Sequence, residues 1–426
     1  MAPRPIPNPW NIYNLARSPF FQQSLESGTD SPRPLSLFVG RENELRQLRQ
    51  KIHSAGPNAS LQAIAGEPGV GKTTLVQELK TQLFDDGYFT TDSSVPILAG
   101  DTAEDLFGRV LSGLYDTILA NRPQSGGNPA MQAAQVLVRV TRLRSGGLSI
   151  PIPGVGSLGA SSGSAITAPS DLLLDGPRVM RDLAAMARGS DGHGVVLHLN
   201  NLENLSDADA AKAADVLRSL RDIMFLHNGL HYLIVGTVDA VQTAVATHAQ
   251  VRNLVSIITV GPLATAEVHA MLEARYTHLR LDPATPVQAP VEARTVDALS
   301  AFFRGDLRGL LKALEDGVSV LIGLDGTPAR ALTLAELRPV LQRRYQAELH
   351  ARPDTSRVTA LSVWGDGAPT RSQTQQTLQD LWGLSQARVS KMINQLIGDG
   401  YVVALPRSGR DPIQYVLSGV SRLIFG

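Results

Sequence analysis

The chain has 426 residues, a length that suggests two or three domains. A hydrophobic content of 43% with 18% charged residues excludes a disordered chain, and 39 basic residues balance 39 acidic ones, so no global field draws nucleic acid to it. The absence of cysteine excludes disulfides, cysteine nucleophiles and thiolate metal sites, and fits a reducing compartment. The opening MAPRPIPNP lacks the apolar stretch of a signal peptide, and no apolar run reaches the ~18 residues of a membrane helix. The expectation is a cytoplasmic protein with no membrane partner.

Residues 1–35 form an arm rich in Pro, Asn and Ser, interrupted by Trp10, Tyr13, Phe20 and Phe21. Solvated arms seldom carry so many aromatics, so part of this one is expected to pack on the body. Residues 38–45 read F-V-G-R-E-N-E-L, a turn followed by a helix start. Short apolar runs at 61–65, 195–199, 231–235 and 255–260 alternate with helical patterns. That alternation predicts an α/β fold, a doubly wound parallel sheet over about 36–262. Residues 145–170 interrupt it with a Gly/Ser/Pro-rich insertion.

Residues 66–73, G-E-P-G-V-G-K-T, fit the phosphate-binding loop pattern G-x-x-x-x-G-K-[ST]. The loop follows the 61–65 strand, and Leu75, Val76, Leu79 and Leu83 then mark one face of a helix. Glycines let consecutive N–H groups turn inward to phosphate oxygens, and the helix N-terminus adds its positive end. Lys72 is placed to reach the β- and γ-phosphates and Thr73 to ligate Mg²⁺. Gly66, Glu67, Pro68, Gly69, Val70, Gly71, Lys72, Thr73 and Thr74 are therefore the predicted contacts for ATP and its Mg²⁺.

A second strand of such a site normally ends in carboxylates that hold Mg²⁺ and polarise the attacking water. Here the 195–199 strand runs into Asn200 and Asn201. An asparagine can hold a metal-bound water through its carbonyl, as Asn200 would, but carries no charge and is no base. Glu203 is a partial substitute two residues on. ATP binding with slow hydrolysis is the expectation, against a reading in which the asparagines only end the strand.

Beyond Gly261 and Pro262 the pattern turns helical to about 330, with R-G-D-L-R at 304–308 opening a helix. Residues 331–426 continue with a helix to His350, a short linker at 352–354, further helices and a hairpin. Residues 374–381 carry Leu378 and Leu381 on one helical face, and Ser385 caps a helix over 386–397. In the latter Val389, Ile393 and Leu396 form the buried stripe. Gln386, Arg388, Ser390, Lys391, Asn394 and Gln395 face outward and suit base edges and phosphates. Strands at 401–405 and 413–417 flank a tip carrying Arg407 and Arg410, which suits a minor-groove or phosphate contact. From Arg338 onward 11 basic residues face 6 acidic ones, a local excess of about +5. This is the pattern of a C-terminal winged helix-turn-helix, with duplex DNA as the first partner and a protein as the alternative.

Taken in order, G-R-E-x-E-L, the phosphate loop, the strand ending in N-N, the H-Y-L-I-V-G-T strand (231–237), the Arg252 segment, the G-D-L-R helix and the C-terminal unit resemble the initiator branch of AAA+ ATPases, the origin-recognition and replication-licensing type. The resemblance covers roughly 36–426 and implies a P-loop NTPase core, a small helical lid over 263–330 and assembly on duplex DNA. It implies that the G-R-E element frames the adenine and that Thr237 contacts the γ-phosphate or the water. It also implies that Arg252 reaches a neighbour's nucleotide in a homo-oligomer and that Arg308 senses the nucleotide from the lid. The two asparagines and the insertion depart from the pattern. The signal-transducing STAND NTPases share the same beginning, and an ATP-gated scaffold that recruits an effector protein is the reading from another class.

Overall fold

The computed structural model describes residues 8–27, 31–145, 169–189, 192–323, 330–352, 354–367, 369–405 and 411–425. Short apolar strands alternate with helices through the first half. β1 (Ser60–Ala65) follows α1 (Glu42–Ala55) and delivers the chain to α2 (Lys72–Asp85). Leu75, Val76, Leu79 and Leu83 of α2 are all fully buried, each contributing roughly 2 kcal/mol of apolar burial. Two short edge strands, β2 (Tyr88–Phe89) and β3 (Val95–Pro96), come next. α3 (Ala103–Asn121) opens with a reciprocal cap between Thr102 and Asp105. α4 (Pro129–Ser145) and α5 (Pro169–Ala187) pack beside it. The insertion between them lies outside the described residues except at its ends.

β4 (Gly194–Asn200), α6 (Asp207–Ser219), β5 (Leu230–Gly236), α7 (Val238–Val241), α8 (Ala249–Arg252) and β6 (Val255–Thr259) complete the core. The six strands are parallel in the order β2-β4-β5-β1-β6, with β3 also on β4. Both neighbours of β1 come from much later in the chain, so strand order reverses there. In open parallel sheets ligands bind at such a point, beyond the carboxyl ends of the strands. The loop 66–71 leaves β1 there. Separate apolar clusters cover the two faces: Leu75, Val76 and Leu79 meet Ile64, Val196 and Leu233 on one, while Phe107, Leu111 and Leu114 meet Leu197 and Tyr232 on the other.

α9 (Thr265–His278), α10 (Ala293–Phe303) and α11 (Leu307–Ile322) occupy the stretch expected to be a lid, and they are called the lid. α12 (Leu334–His350), whose first turn is closed by Thr333 and Glu336, leads to α13 (Thr355–Gly367). β7 (Gln373–Thr374), α14 (Gln375–Trp382), α15 (Gln386–Gly398), β8 (Val402–Ala404), β9 (Gln414–Leu417) and α16 (Gly419–Phe425) follow, with an antiparallel sheet in the order β7-β9-β8. Val389, Ile393 and Leu396 are buried as expected. Two local expectations fail. Leu381, in the last turn of α14, is 38% exposed while Leu378 is buried. Ser385 occupies the cap position of α15 with an extended backbone, yet its hydroxyl makes no capping hydrogen bond.

One apolar cluster runs through the arm, the lid and the C-terminal unit. Trp10, Tyr13, Leu15, Phe20, Phe21 and Leu25 are buried in it beside Met271, Tyr276 and Leu311 of the lid. Backbone hydrogen bonds from Ala16 to Leu279 (2.8 Å) and from Gln288 to Tyr13 (3.3 Å) tie the arm down. At the far end α16 inserts Leu423 and Ile424 among α10, α12 and α13. Arg422 there donates to the carbonyls of Leu417 (3.0 Å) and Ala301 (3.3 Å). The arm is thus a structural part of the lid rather than a separate tail.

Candidate nucleotide site

The phosphate loop is built by backbone conformations only glycine adopts easily. Gly69 and Gly71 sit at φ +83° and +94°. Gly71 then starts α2 with no side chain capping the helix, so the N–H groups of its first turn remain available to an anion. Gly66 is needed for a different reason: a side chain there would collide with the carbonyl oxygen of Val260. The loop, open N–H groups and exposed Thr73 fit a nucleotide's phosphates and a magnesium ion held chiefly through them. Among the described residues no group of three His, Cys, Asp or Glu could hold a metal alone.

Lys72 is 6% exposed and donates to the carbonyls of Gly66 (2.8 Å) and Glu67 (3.1 Å). Its Nζ also lies 3.2 Å from Glu203 Oε2. Burial raises the Glu67 carboxyl above the ordinary carboxylate range, with Asp239 adding to the effect and Lys72 opposing it. Further along α2, Lys80 is buried and donates to the carbonyls of Thr91 (2.7 Å) and Ser93 (2.8 Å). Burial lowers its ammonium to about 8.

The lid closes on this loop. Asp306 caps α11 by accepting from the N–H of Gly309 (3.0 Å), and its carboxylate rests against the face of Gly69 where a side chain would stand. Arg308, the second residue of α11 and exposed, lines the same cavity as Pro68 to Thr74. Phe38, Val39 and Arg41 of the G-R-E element line it from the other side. Arg41, at φ +69°, donates to the carbonyls of Val70 (3.2 Å) and Gly261, so it pins the phosphate loop to the hinge between core and lid.

The sequence-predicted residues do not all converge. Pro68, Gly69, Val70, Gly71, Lys72, Thr73, Thr74, Glu203 and Arg308 line the cavity; Gly66, Glu67, Asn200, Thr237 and Arg252 do not. Asn201 has φ +80° and donates to the carbonyl of Ile97 (3.2 Å) while accepting from Asn204, so its side chain is engaged in ending β4. The carbonyl of Asn200 accepts from the N–H of Ile97 (2.9 Å). The Thr237 hydroxyl caps α7, accepting from the N–H of Ala240 (3.2 Å). Arg252 is exposed at the end of α8.

Two contributors escaped the sequence reading. Gln22, Gln23, Ser24 and Leu25 of the arm form part of the cavity wall. Arg275 of α9 holds them there: it is buried, donates to the carbonyls of Pro19 (3.0 Å) and Phe21 (2.9 Å), and stacks 3.9 Å from the Phe21 ring. Burial lowers its guanidinium to about 10. The aromatics of the arm were the one available signal.

In the C-terminal unit Gln386, Arg388, Ser390, Lys391 and Asn394 are all exposed along one side of α15, and Gln395 is half-buried. Arg407 and Arg410 lie outside the described residues.

The family model of the AAA ATPase domain matches residues 37–235, from the G-R-E element to the end of β5. No curated protein matches the sequence. Among solved structures, the chain is similar to the ORC2 protein of Aeropyrum pernix in ADPNP–ADP complexes (15% identity, 95% of this chain and 97% of that chain, TM-score 0.42). It is also similar to the ORC1 protein of the same organism in complex with DNA (15%, 92% and 94%, 0.44) and to Cdc6p of Pyrobaculum aerophilum (13%, 95% and 97%, 0.42). Residues 37–235, where the parallel sheet carries its phosphate loop at the point of strand reversal, are thus matched by the AAA ATPase domain.

Proposed function

We propose that the chain is an ATP-dependent switch of the initiator type, which binds ATP–Mg²⁺ between core and lid, grips duplex DNA through its C-terminal unit and hydrolyses ATP slowly. The observation that carries this reading is the shared core. The lid that brings Arg308 to the phosphate loop is packed in one apolar cluster with the unit that displays Gln386, Arg388, Ser390, Lys391 and Asn394. A change of lid position on nucleotide binding therefore moves that basic face as well.

The element order from α13 through β9, with its small antiparallel sheet, supports reading this unit as a winged helix in which α15 is the helix that enters the groove. Slow hydrolysis follows from the site's acids. Asn201 is used by the strand end, and Glu203 is the only carboxylate among the residues lining the cavity. Thr73 and the nucleotide's phosphates hold Mg²⁺, Asn200 adds at most a water-mediated contact, and Glu203 sets what hydrolysis remains. Exposed Arg252 is free to reach a neighbour's nucleotide in a homo-oligomer, in keeping with its place in the resembling family.

The test is fluorescence anisotropy on labelled duplex DNA with ATP, ADP or no nucleotide, while phosphate release is followed in the same samples. Tighter DNA binding with ATP and negligible release is the expected result. Nucleotide binding without DNA affinity overturns the DNA reading and gives the α15 face to a protein partner, as in an ATP-gated scaffold. Rapid release undiminished by Glu203→Gln overturns the slow switch.

A further inference from the structure

We infer that the arm segment 19–25 is the base-recognising wall of the nucleotide cavity, and that Gln22, oriented by Glu315 of α11, selects adenine over guanine. The inference rests on nucleotide binding at the phosphate loop.

The cavity has two chemically distinct ends. Gly69 to Thr74 supply backbone N–H groups, Lys72 and a hydroxyl, which suit phosphates. Leu25, Phe38, Val39, Met271 and Leu311 supply an apolar surface, which suits a flat heteroaromatic base. Two of the charged groups of the cavity, Arg41 and Arg275, already have partners. Arg41 is bound to the carbonyls of Val70 and Gly261, and Arg275 to those of Pro19 and Phe21. Neutral amides at Gln22 and Gln23 are left to read the edge of the base.

A carboxamide by itself does not discriminate, because rotation by 180° exchanges its donor and acceptor ends. Gln22 is not free in this sense. Its Nε2 donates to Glu315 Oε2 at 3.4 Å, and a carboxylate only accepts, so Nε2 is fixed on that side. The remaining Oε1, with no protein partner among the described residues, is an acceptor. It complements the 6-amino group of adenine and opposes the 6-oxo group of guanine. Gln22 is half-buried, and a polar group shielded from water discriminates when the wrong ligand leaves it unpaired.

The wall is also held in register. Arg275 anchors the backbone immediately before Gln22 through two carbonyls and the Phe21 ring, and Phe20 is fully buried. Arg275 is thus a positioning residue. It touches the cavity, but its hydrogen bonds go to the arm that presents the amides.

The experiment measures affinities of the full chain for ATP, GTP and inorganic triphosphate by isothermal titration calorimetry. Wild type is compared with Gln22→Ala, Glu315→Gln and Arg275→Lys, each checked for an unchanged unfolding midpoint. The wild type should prefer ATP to GTP. Glu315→Gln provides a donor as well as an acceptor, lets the Gln22 amide rotate, and should reduce that preference about tenfold; Gln22→Ala should do the same. Arg275→Lys should weaken ATP binding more than triphosphate binding. Triphosphate affinity should be unchanged in both Gln22→Ala and Glu315→Gln. If all variants keep the wild-type ATP to GTP ratio, or if the wild type shows no preference, the arm inference is overturned while the phosphate site stands. If the wild type binds neither ATP nor triphosphate, the phosphate-loop reading itself has failed.

Discussion

Replacing Gly69 with alanine tests whether the lid truly seats on the phosphate loop. The new methyl group would stand 2.2 Å from Asp306 Oδ1 and 3.1 Å from its Cγ, and the backbone would keep a φ of +83°. Holding a non-glycine residue in that left-handed conformation costs roughly 1 kcal/mol. Driving the Asp306 carboxylate off the N–H of Gly309 removes the cap of α11, worth about 1 kcal/mol more. Both costs fall on the closed arrangement of loop and lid, so nucleotide affinity should drop by about 2 kcal/mol, roughly thirtyfold. Calorimetric titration with a non-hydrolysable ATP analogue measures this for wild type, Gly69→Ala, Asp306→Ala and the double variant. Asp306→Ala removes both the cap and the obstacle, so the double variant should bind about as Gly69→Ala does. That outcome is a coupling of about 1 kcal/mol between the two positions. Strictly additive effects, or a Gly69→Ala protein that binds like wild type, would refute the contact between loop and lid.

Lys72→Ala should abolish ATP binding, since a buried ammonium 2.8 Å from the Gly66 carbonyl is removed from the centre of the loop; retained binding by calorimetry would place the nucleotide elsewhere. The histidines of the sheet make a second test, in pH. His231 is fully buried on β5, its Nδ1 2.8 Å from Ser60 Oγ, and burial, with His53 adding to it, lowers its imidazole to about 4. The unfolded chain takes up that proton near 6.5 and the native chain only near 4, so the stabilisation is complete above 6.5 and is lost as pH falls toward 4. That span corresponds to roughly 3 kcal/mol, and in urea denaturation the stability gap between wild type and His231→Leu should narrow by about that much on acidification; a gap independent of pH would contradict a neutral buried imidazole. In the proposed DNA complex, Arg407→Ala with Arg410→Ala should weaken binding about equally for all duplex sequences and reduce its salt dependence. A loss confined to one sequence would mean that these residues read bases rather than phosphates.

The sequence by itself determined the parts whose physics is local. The phosphate loop is legible because glycine spacing, a lysine and the helix that follows are consecutive in the chain, and the fold keeps them consecutive. β1, β4 and β5 were legible because strands buried on both faces are apolar nearly throughout, and β6, an edge strand with Ile257 42% exposed, was legible by its β-branched run. The stripe Val389, Ile393 and Leu396 on α15 was legible because one helix face must be covered. Tertiary structure alone decided which of several polar groups would meet. Glu203 reaches Lys72 across the space between two strand ends, while Thr237 and Asn201 are taken by helix and strand termini that could equally have faced the nucleotide. Arg275 lies about 250 residues from the carbonyls of Pro19 and Phe21 that it holds, and Asp306 meets Gly69 across the hinge. Neither pairing leaves a trace in hydropathy or spacing. Each exists only because one apolar cluster draws the arm, the lid and the C-terminal unit together, and burial of that kind depends on how whole surfaces fit rather than on the order of residues along any one of them.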